Sequence, residues 1–196
     1  DCGIAEQNMM GIATGLASEG NNVITTTFAP FQTMRCCEQI KVNLGYMNQN
    51  VTMVGLASGV VQGMLGYTHS CIEDLSIMRS IPGITVLSPA DCTETAKAIN
   101  AALEHNGPVY IRLTGGSSNP SVYKDDYDYK IGKAINLKKG DDVALIATGT
   151  MVYVCLEVAN ELEEQGISTA VIDMHTIKPI DSEMVKAICD YAKLVV

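Results

Sequence analysis

Residues 3–31 read GIAEQNMMGIATGLASEGNNVITTTFAPF. Glu6 opens a helix of small and apolar residues, among them Gly11, Ile12, Ala13, Gly15, Leu16 and Ala17, that runs to about Ser18. Val23–Phe28 is β-branched up to its last residue and predicts a strand. The same alternation continues outward from this segment. Gln32–Leu44 predicts a helix with Met34, Cys37, Ile40 and Leu44 as its apolar stripe. Val51–Ala57 predicts a strand, Cys71–Ile81 a helix and Ile84–Leu87 a strand. Asp91 then caps a helix, with Glu94 completing a capping box, and Asn106-Gly107-Pro108 stops it before the strand Val109–Leu113. Strands interleaved with helices in this way predict an α/β fold with a parallel sheet.

The pattern lapses over Thr114–Asp142, which is longer than an ordinary loop and rich in Gly, Ser, Asp and Tyr. It then resumes as strand Val143–Thr148, helix Met151–Gln165, strand Ser168–Asp173, helix Ser182–Ala192 and a strand beginning at Leu194. The expected division is a first domain over 1–115, an inter-domain connection over 116–141 and part of a second α/β domain over 142–196. The chain starts at Asp1 without an initiator Met and ends on Lys193-Leu194-Val195-Val196, which reads as a strand cut short. Both ends predict a fragment, truncated at its N-terminus and incomplete at its C-terminus.

Composition narrows the classes. Hydrophobic residues make up 47% of the 196, enough for a packed core, and 22 acidic against 13 basic residues give a net charge of −9. That charge argues against a nucleic-acid or anionic-membrane surface, and no apolar run is long enough to span a bilayer. The seven cysteines form no CxxC pair, so they predict neither a disulfide framework nor a zinc site. Free thiols of this kind suit a reducing cytoplasm. There is no GxGxxG after a strand, no Walker A, no HExxH and no GxSxG.

Three places could carry chemistry. Glu6 lies among apolar residues, where a buried carboxyl tends to a raised pKa and can share a proton with a ligand nitrogen; it also suits a first-turn glutamate favoured by the helix dipole. Phe28 and Phe31 sit just past a strand end, where α/β proteins bind ligands, and could stack on a planar ring or fill core. His69 lies in a glycine-rich stretch (Gly55, Gly59, Gly63, Gly66) and could move protons near neutral pH or be an ordinary loop residue. His105 and His175 read as structural.

Taken together, GIAEQNMMGIATGLASEG, TTFAPF, GYTHSCIEDLSIMRSIPGITVLSPAD and PVYIRL resemble, in order and spacing, the pyrimidine-binding domain of transketolases. VALIATGTMV and VIDMHTIKPID resemble the start of the transketolase C-terminal domain, and separate C-terminal transketolase subunits look most similar. The resemblance implies a thiamine-diphosphate-dependent transferase that moves a two-carbon ketol unit from a ketose to an aldose. Glu6 matches the glutamate that hydrogen-bonds N1′ of the cofactor's aminopyrimidine, where proton sharing activates the thiazolium carbon. Phe28 and Phe31 match the aromatics around that ring, and His69 a histidine that contacts the sugar donor. The Gly-Asp-Gly…Asn motif that holds diphosphate and Mg²⁺ in this family is absent from these residues. The resemblance therefore implies a partner half that binds the diphosphate and Mg²⁺, a homodimeric or heterotetrameric assembly, and no activity for this chain alone.

Some positions depart from the family pattern. Leu65 stands where an Asp usually precedes Gly-x-Thr-His, Ala57 where a histidine is frequent, and Gly115 where a phosphate-binding arginine would fall; Arg112 is three residues away. These changes predict a substrate other than a standard sugar phosphate. The resemblance extends to the β subunits of 2-oxoacid dehydrogenases and to 1-deoxyxylulose-5-phosphate synthases, and a non-catalytic assembly subunit would keep the same fold.

Overall fold

The computed structural model describes residues 1–115 and 119–196. The first three residues of the expected connection, 116–118, lie outside the described residues. Helix α1 (Glu6–Ser18) leads into strand β1 (Val23–Phe28), which lies parallel to β2 (Val51–Leu56) with Val23 opposite Val51 and Phe28 opposite Leu56. The predicted helix over Gln32–Leu44 is broken instead. α2 (Ala29–Gln32) ends after one turn, and α3 (Cys37–Gln39) runs into a π-helical stretch, Ile40–Tyr46. The helical register slips here: Arg35 N donates to Pro30 O, five residues back, at 3.2 Å, and Cys36 Sγ takes Phe31 O at 3.2 Å, while Thr33 Oγ1 only adds a second bond to Ala29 O, which Thr33 N already holds. Met34, expected on the apolar stripe, is exposed, while Ile40 and Leu44 are fully buried.

The predicted helix Cys71–Ile81 is shortened to α4 (Asp74–Ser80), because Cys71 is already paired with Gly59. Next come β3 (Thr85–Leu87), α5 (Cys92–Glu104) and β4 (Val109–Arg112). β4 inserts between β2 and β3, all parallel, with Thr52 and Thr85 both opposite Val109. One face of this sheet is covered by Met10, Ile40, Leu44, Met78 and Ile84; the other packs Ala98 and Ala102 of α5 on Val109 and Ile111. Only glycine fits at position 55 of β2, since a Cβ there would run into the Tyr110 side chain.

The stretch expected to be pure connection contains a strand, β5 (Ile135–Lys138). It is the antiparallel edge of a second sheet ordered β5-β7-β6-β9, built with β6 (Val143–Ala147), α6 (Met151–Glu164) and β7 (Thr169–Asp173). A strand that periodicity missed, β8 (Thr176–Lys178), leaves this sheet and joins the first, antiparallel to β3. α7 (Ser182–Tyr191) and β9 (Leu194–Val195) complete the order.

His175, at the crossing between β7 and β8, is fully buried and stacks on Tyr129 at 4.3 Å. Beside it, two buried carboxyl groups face each other. Glu94 comes from the first turn of α5 and Asp173 from the end of β7. Tyr127 Oη donates to Glu94 at 3.2 Å and Tyr123 Oη to Asp173 at 2.7 Å. Both parts of the chain and the segment between them thus meet in one buried polar cluster. No helix among the described residues is long and apolar enough to cross a membrane.

Candidate active site

Glu6, Met10, Ala13 and Thr14 share the inward face of α1, so the same periodicity that buries Met10 buries the carboxylate, which is 8% exposed as a residue. Arg35, in the irregular turn between α2 and α3, supplies its counter-charge. Arg35 Nη1 donates to Glu6 Oε2 at 2.6 Å, and the guanidinium lies over the Phe31 ring, 4.0 Å from its centre. Gln7 Nε2 donates to the Arg35 carbonyl at 3.1 Å and fixes its backbone. Burial pushes the Glu6 carboxyl up, but the hydrogen bond and charge of Arg35 outweigh it and leave the group below the usual carboxylate range. The sequence reading expected a raised value. The difference comes from a cation 29 residues away in the chain.

Phe28 closes β1 and Phe31 follows one turn later in α2; their rings meet edge to face at 6.1 Å and 85°. The loop between β2 and α4 brings His69 against both, 5.6 Å from Phe28 and 5.2 Å from Phe31. Gly59 and Cys71 close the base of that loop with paired backbone hydrogen bonds of 2.7 and 2.8 Å. Ala57, where the loop leaves β2, adopts a left-handed φ of 52°, an uncommon conformation for a residue with a Cβ. His69 Nδ1 lies 3.0 Å from Thr68 Oγ1. An open cleft of about 440 Å³ runs along this wall, lined by Phe31, Arg35, Tyr67, Thr68, His69 and Glu73 among others.

All four residues singled out in the sequence therefore fall in one neighbourhood. Glu6 reaches Phe31 through Arg35, and Phe31, Phe28 and His69 touch in turn. Arg35 is the member that sequence reasoning missed. Its signal was the need of a buried acid for a partner, since Arg35 is the first basic residue in the chain. Arg112 is engaged elsewhere: Nε donates to the buried Asp74 and Nη1 to Thr114 Oγ1, both at 2.9 Å.

Comparison with known families matches residues 1–119 to the transketolase pyrimidine-binding domain and residues 132–196 to the transketolase C-terminal domain. The chain belongs to the transketolase family. Among its relatives is the 6-deoxy-6-sulfo-D-fructose transketolase subunit SqwH of Clostridium sp. (strain MSTE9), 43% identical over 94% of this chain and 57% of that protein. Another is one of the subunits of the apulose-4-phosphate transketolase of Phocaeicola vulgatus (strain ATCC 8482), 39% identical over 95% of this chain and 60% of that protein. A solved split-gene transketolase, described as an inactive beta4 tetramer, superposes with a TM-score of 0.90 at 39% identity, over 98% of this chain and 62% of that one. The chain thus spans about three-fifths of the length of these relatives.

The residues of this transketolase cleft fit one part of thiamine diphosphate, the cofactor the family implies, and not the other. A carboxylate with one oxygen taken by Arg35, beside a wall of aromatic edges, suits an aminopyrimidine ring. Among the described residues lining the cleft, none forms a cradle for the diphosphate. Arg35, the one Lys or Arg lining the cleft, is paired with Glu6, and no group of three or more His, Cys, Asp or Glu among the described residues could hold a metal.

Proposed function

We propose that this chain is the pyrimidine-binding half of a split transketolase, moving a two-carbon ketol unit from a ketose donor to an aldose acceptor in the cytoplasm. The observation that carries this is the chain of contacts from Glu6 through Arg35 to Phe31, Phe28 and His69 in a transketolase pyrimidine-binding domain. Names of relatives support the split: two are called subunits. The units are a pyrimidine-binding domain (1–115), a connection (116–141) and a C-terminal-like domain (142–196), with β5 adding an edge strand to the last.

Thiamine diphosphate, when bound, supplies the nucleophilic carbon and the electron sink for carbon–carbon cleavage. Glu6 would hold the proton at the aminopyrimidine nitrogen, and Phe28 and Phe31 would flank that ring and exclude water. His69, at the mouth of the cleft, would contact the donor sugar and pass protons to its hydroxyls. A partner half would hold the diphosphate and Mg²⁺, in a homodimeric or heterotetrameric assembly. In the complex reconstituted with that half, Glu6→Gln should lower ketol transfer by roughly 100-fold or more while the melting temperature stays put. Unchanged turnover would remove Glu6 from the mechanism and favour a non-catalytic assembly subunit.

The substrate reading follows from the departures. Leu65 is apolar and half exposed on the loop that carries His69, Gly115 has no side chain, and Arg112 is bound to Asp74. A standard sugar phosphate would find neither its hydroxyl acceptor nor its arginine here. Comparable turnover of a phosphorylated ketose and its unphosphorylated counterpart would support this; a strong preference for the phosphate would overturn it.

A further inference from the structure

Arg35 is the residue of the cleft with two contacts of different kinds. Its guanidinium occupies Oε2 of Glu6 at 2.6 Å and covers Phe31 at 4.0 Å, while its carbonyl is pinned by Gln7 at 3.1 Å. Oε1 of Glu6 is not taken by any other side chain among the described residues. The Glu6 side chain is 10% exposed, so its ionisation depends on what surrounds it. Besides Arg35, the titratable group that feels it is Cys36, a buried thiol pushed up to about 11 and therefore neutral. Glu38 and Lys41, on the elements packed against α1, are exposed. His69 and Glu73 line the cleft beyond Phe31. Arg35 is thus the cation that draws the Glu6 carboxyl down.

We propose that Arg35 is a positioning residue for Glu6: it holds the carboxylate ionised, ties Oε2 so that Oε1 is presented to a ring nitrogen, and braces Phe31 as the wall of the ring site. This deepens the pyrimidine-site reading above and rests on it. Its consequence concerns proton balance. A neutral aminopyrimidine that docks as an N–H donor to an ionised Glu6 takes one proton from solvent onto the ring nitrogen, and no covalent bond breaks. Without Arg35, burial is left as the main influence on the carboxyl and raises it, so docking takes up less.

The test uses the complex reconstituted with the diphosphate-binding half and thiamine diphosphate with Mg²⁺ as the probe. Affinity is measured from neutral to alkaline pH, and proton uptake by calorimetry in two buffers of different ionisation heat. The wild type should take up about one proton and lose affinity roughly tenfold per pH unit. In Arg35→Met the falling limb should begin about one pH unit or more higher, with less uptake on its acid side. Arg35→Lys, which restores a cation but not the planar cover on Phe31, should recover the uptake with weaker binding. Wild-type uptake and an unmoved limb in Arg35→Met would overturn the proposal. Glu6→Gln separates the two levels. If it binds like the wild type with the same uptake, the pyrimidine-site reading itself fails. If it differs and Arg35→Met does not, only the role of Arg35 fails.

Discussion

Asp74 shows how a single residue holds the wall of the cleft. It is fully buried at the start of α4, and its Oδ2 accepts from both Tyr110 Oη and Arg112 Nε at 2.9 Å. The Arg112 side chain is 16% exposed, so removing the acid strands a largely buried cation. Asp74→Ala should destabilise the chain by about 3 kcal/mol in denaturant unfolding, and the loop that carries His69 should open with it. Tyr110 reaches Asp74 across β2 only because residue 55 has no side chain. Gly55→Ala should therefore cost about 1–3 kcal/mol by overpacking, visible as a lower midpoint of unfolding. These are structural costs, separable from the kinetic loss expected of Glu6→Gln.

Among the elements, α5 shows best why some of the fold was legible. Asp91 and Glu94 at a spacing of three predicted its start. Asp91 Oδ1 accepts from Glu94 N at 2.8 Å and Glu94 Oε2 from Ala90 N at 2.7 Å. Asp91 does more than cap, because Oδ2 also accepts from Val122 N at 2.8 Å and Tyr123 N at 2.9 Å. Asp91→Ala should cost about 2 kcal/mol or more, above the ~1 kcal/mol of a typical cap, and Asp91→Asn less. Local signals of this kind also marked β1, β2 and β4, whose β-branched runs ended within a residue of the observed strands. What was not legible depends on distant partners. β8 is three residues long, and its pairing with β3 is set by the crossing at His175. β5 exists as an edge of β7. The break between α2 and α3 comes with the Arg35 amide slipping to the Pro30 carbonyl and Cys36 Sγ taking the Phe31 carbonyl, which apolar spacing does not register. In the candidate site, Glu6, Phe28, Phe31 and His69 were visible as residue types in a pattern, whereas Arg35 emerged only once the turn was folded.

The whole molecule is joined through the buried cluster at Glu94 and Asp173. Burial, then the neighbouring Asp173, pushes Glu94 up to about 9, and burial also raises Asp173. A carboxyl whose folded pKa is raised binds its proton more tightly folded than unfolded. The stability it contributes is complete below the ordinary carboxylate range and is lost as pH rises towards about 9. Stability of the chain should fall with rising pH between about 4.5 and 9, by up to about 1.4 kcal/mol per pH unit, with Tyr123 and Tyr127 released from the junction first. Glu94→Gln, neutral at every pH, should flatten that slope in melting curves; an unchanged slope would place the loss elsewhere. At this same scale lies the central claim that the chain is one half of an active site. The direct measurement is ketol transfer with thiamine diphosphate and Mg²⁺ by this chain alone, by the diphosphate-binding half alone and by the two mixed. Activity should appear only on mixing and saturate at a fixed ratio of the halves. Turnover by this chain alone, or none from any mixture that forms a complex, would contradict the claim.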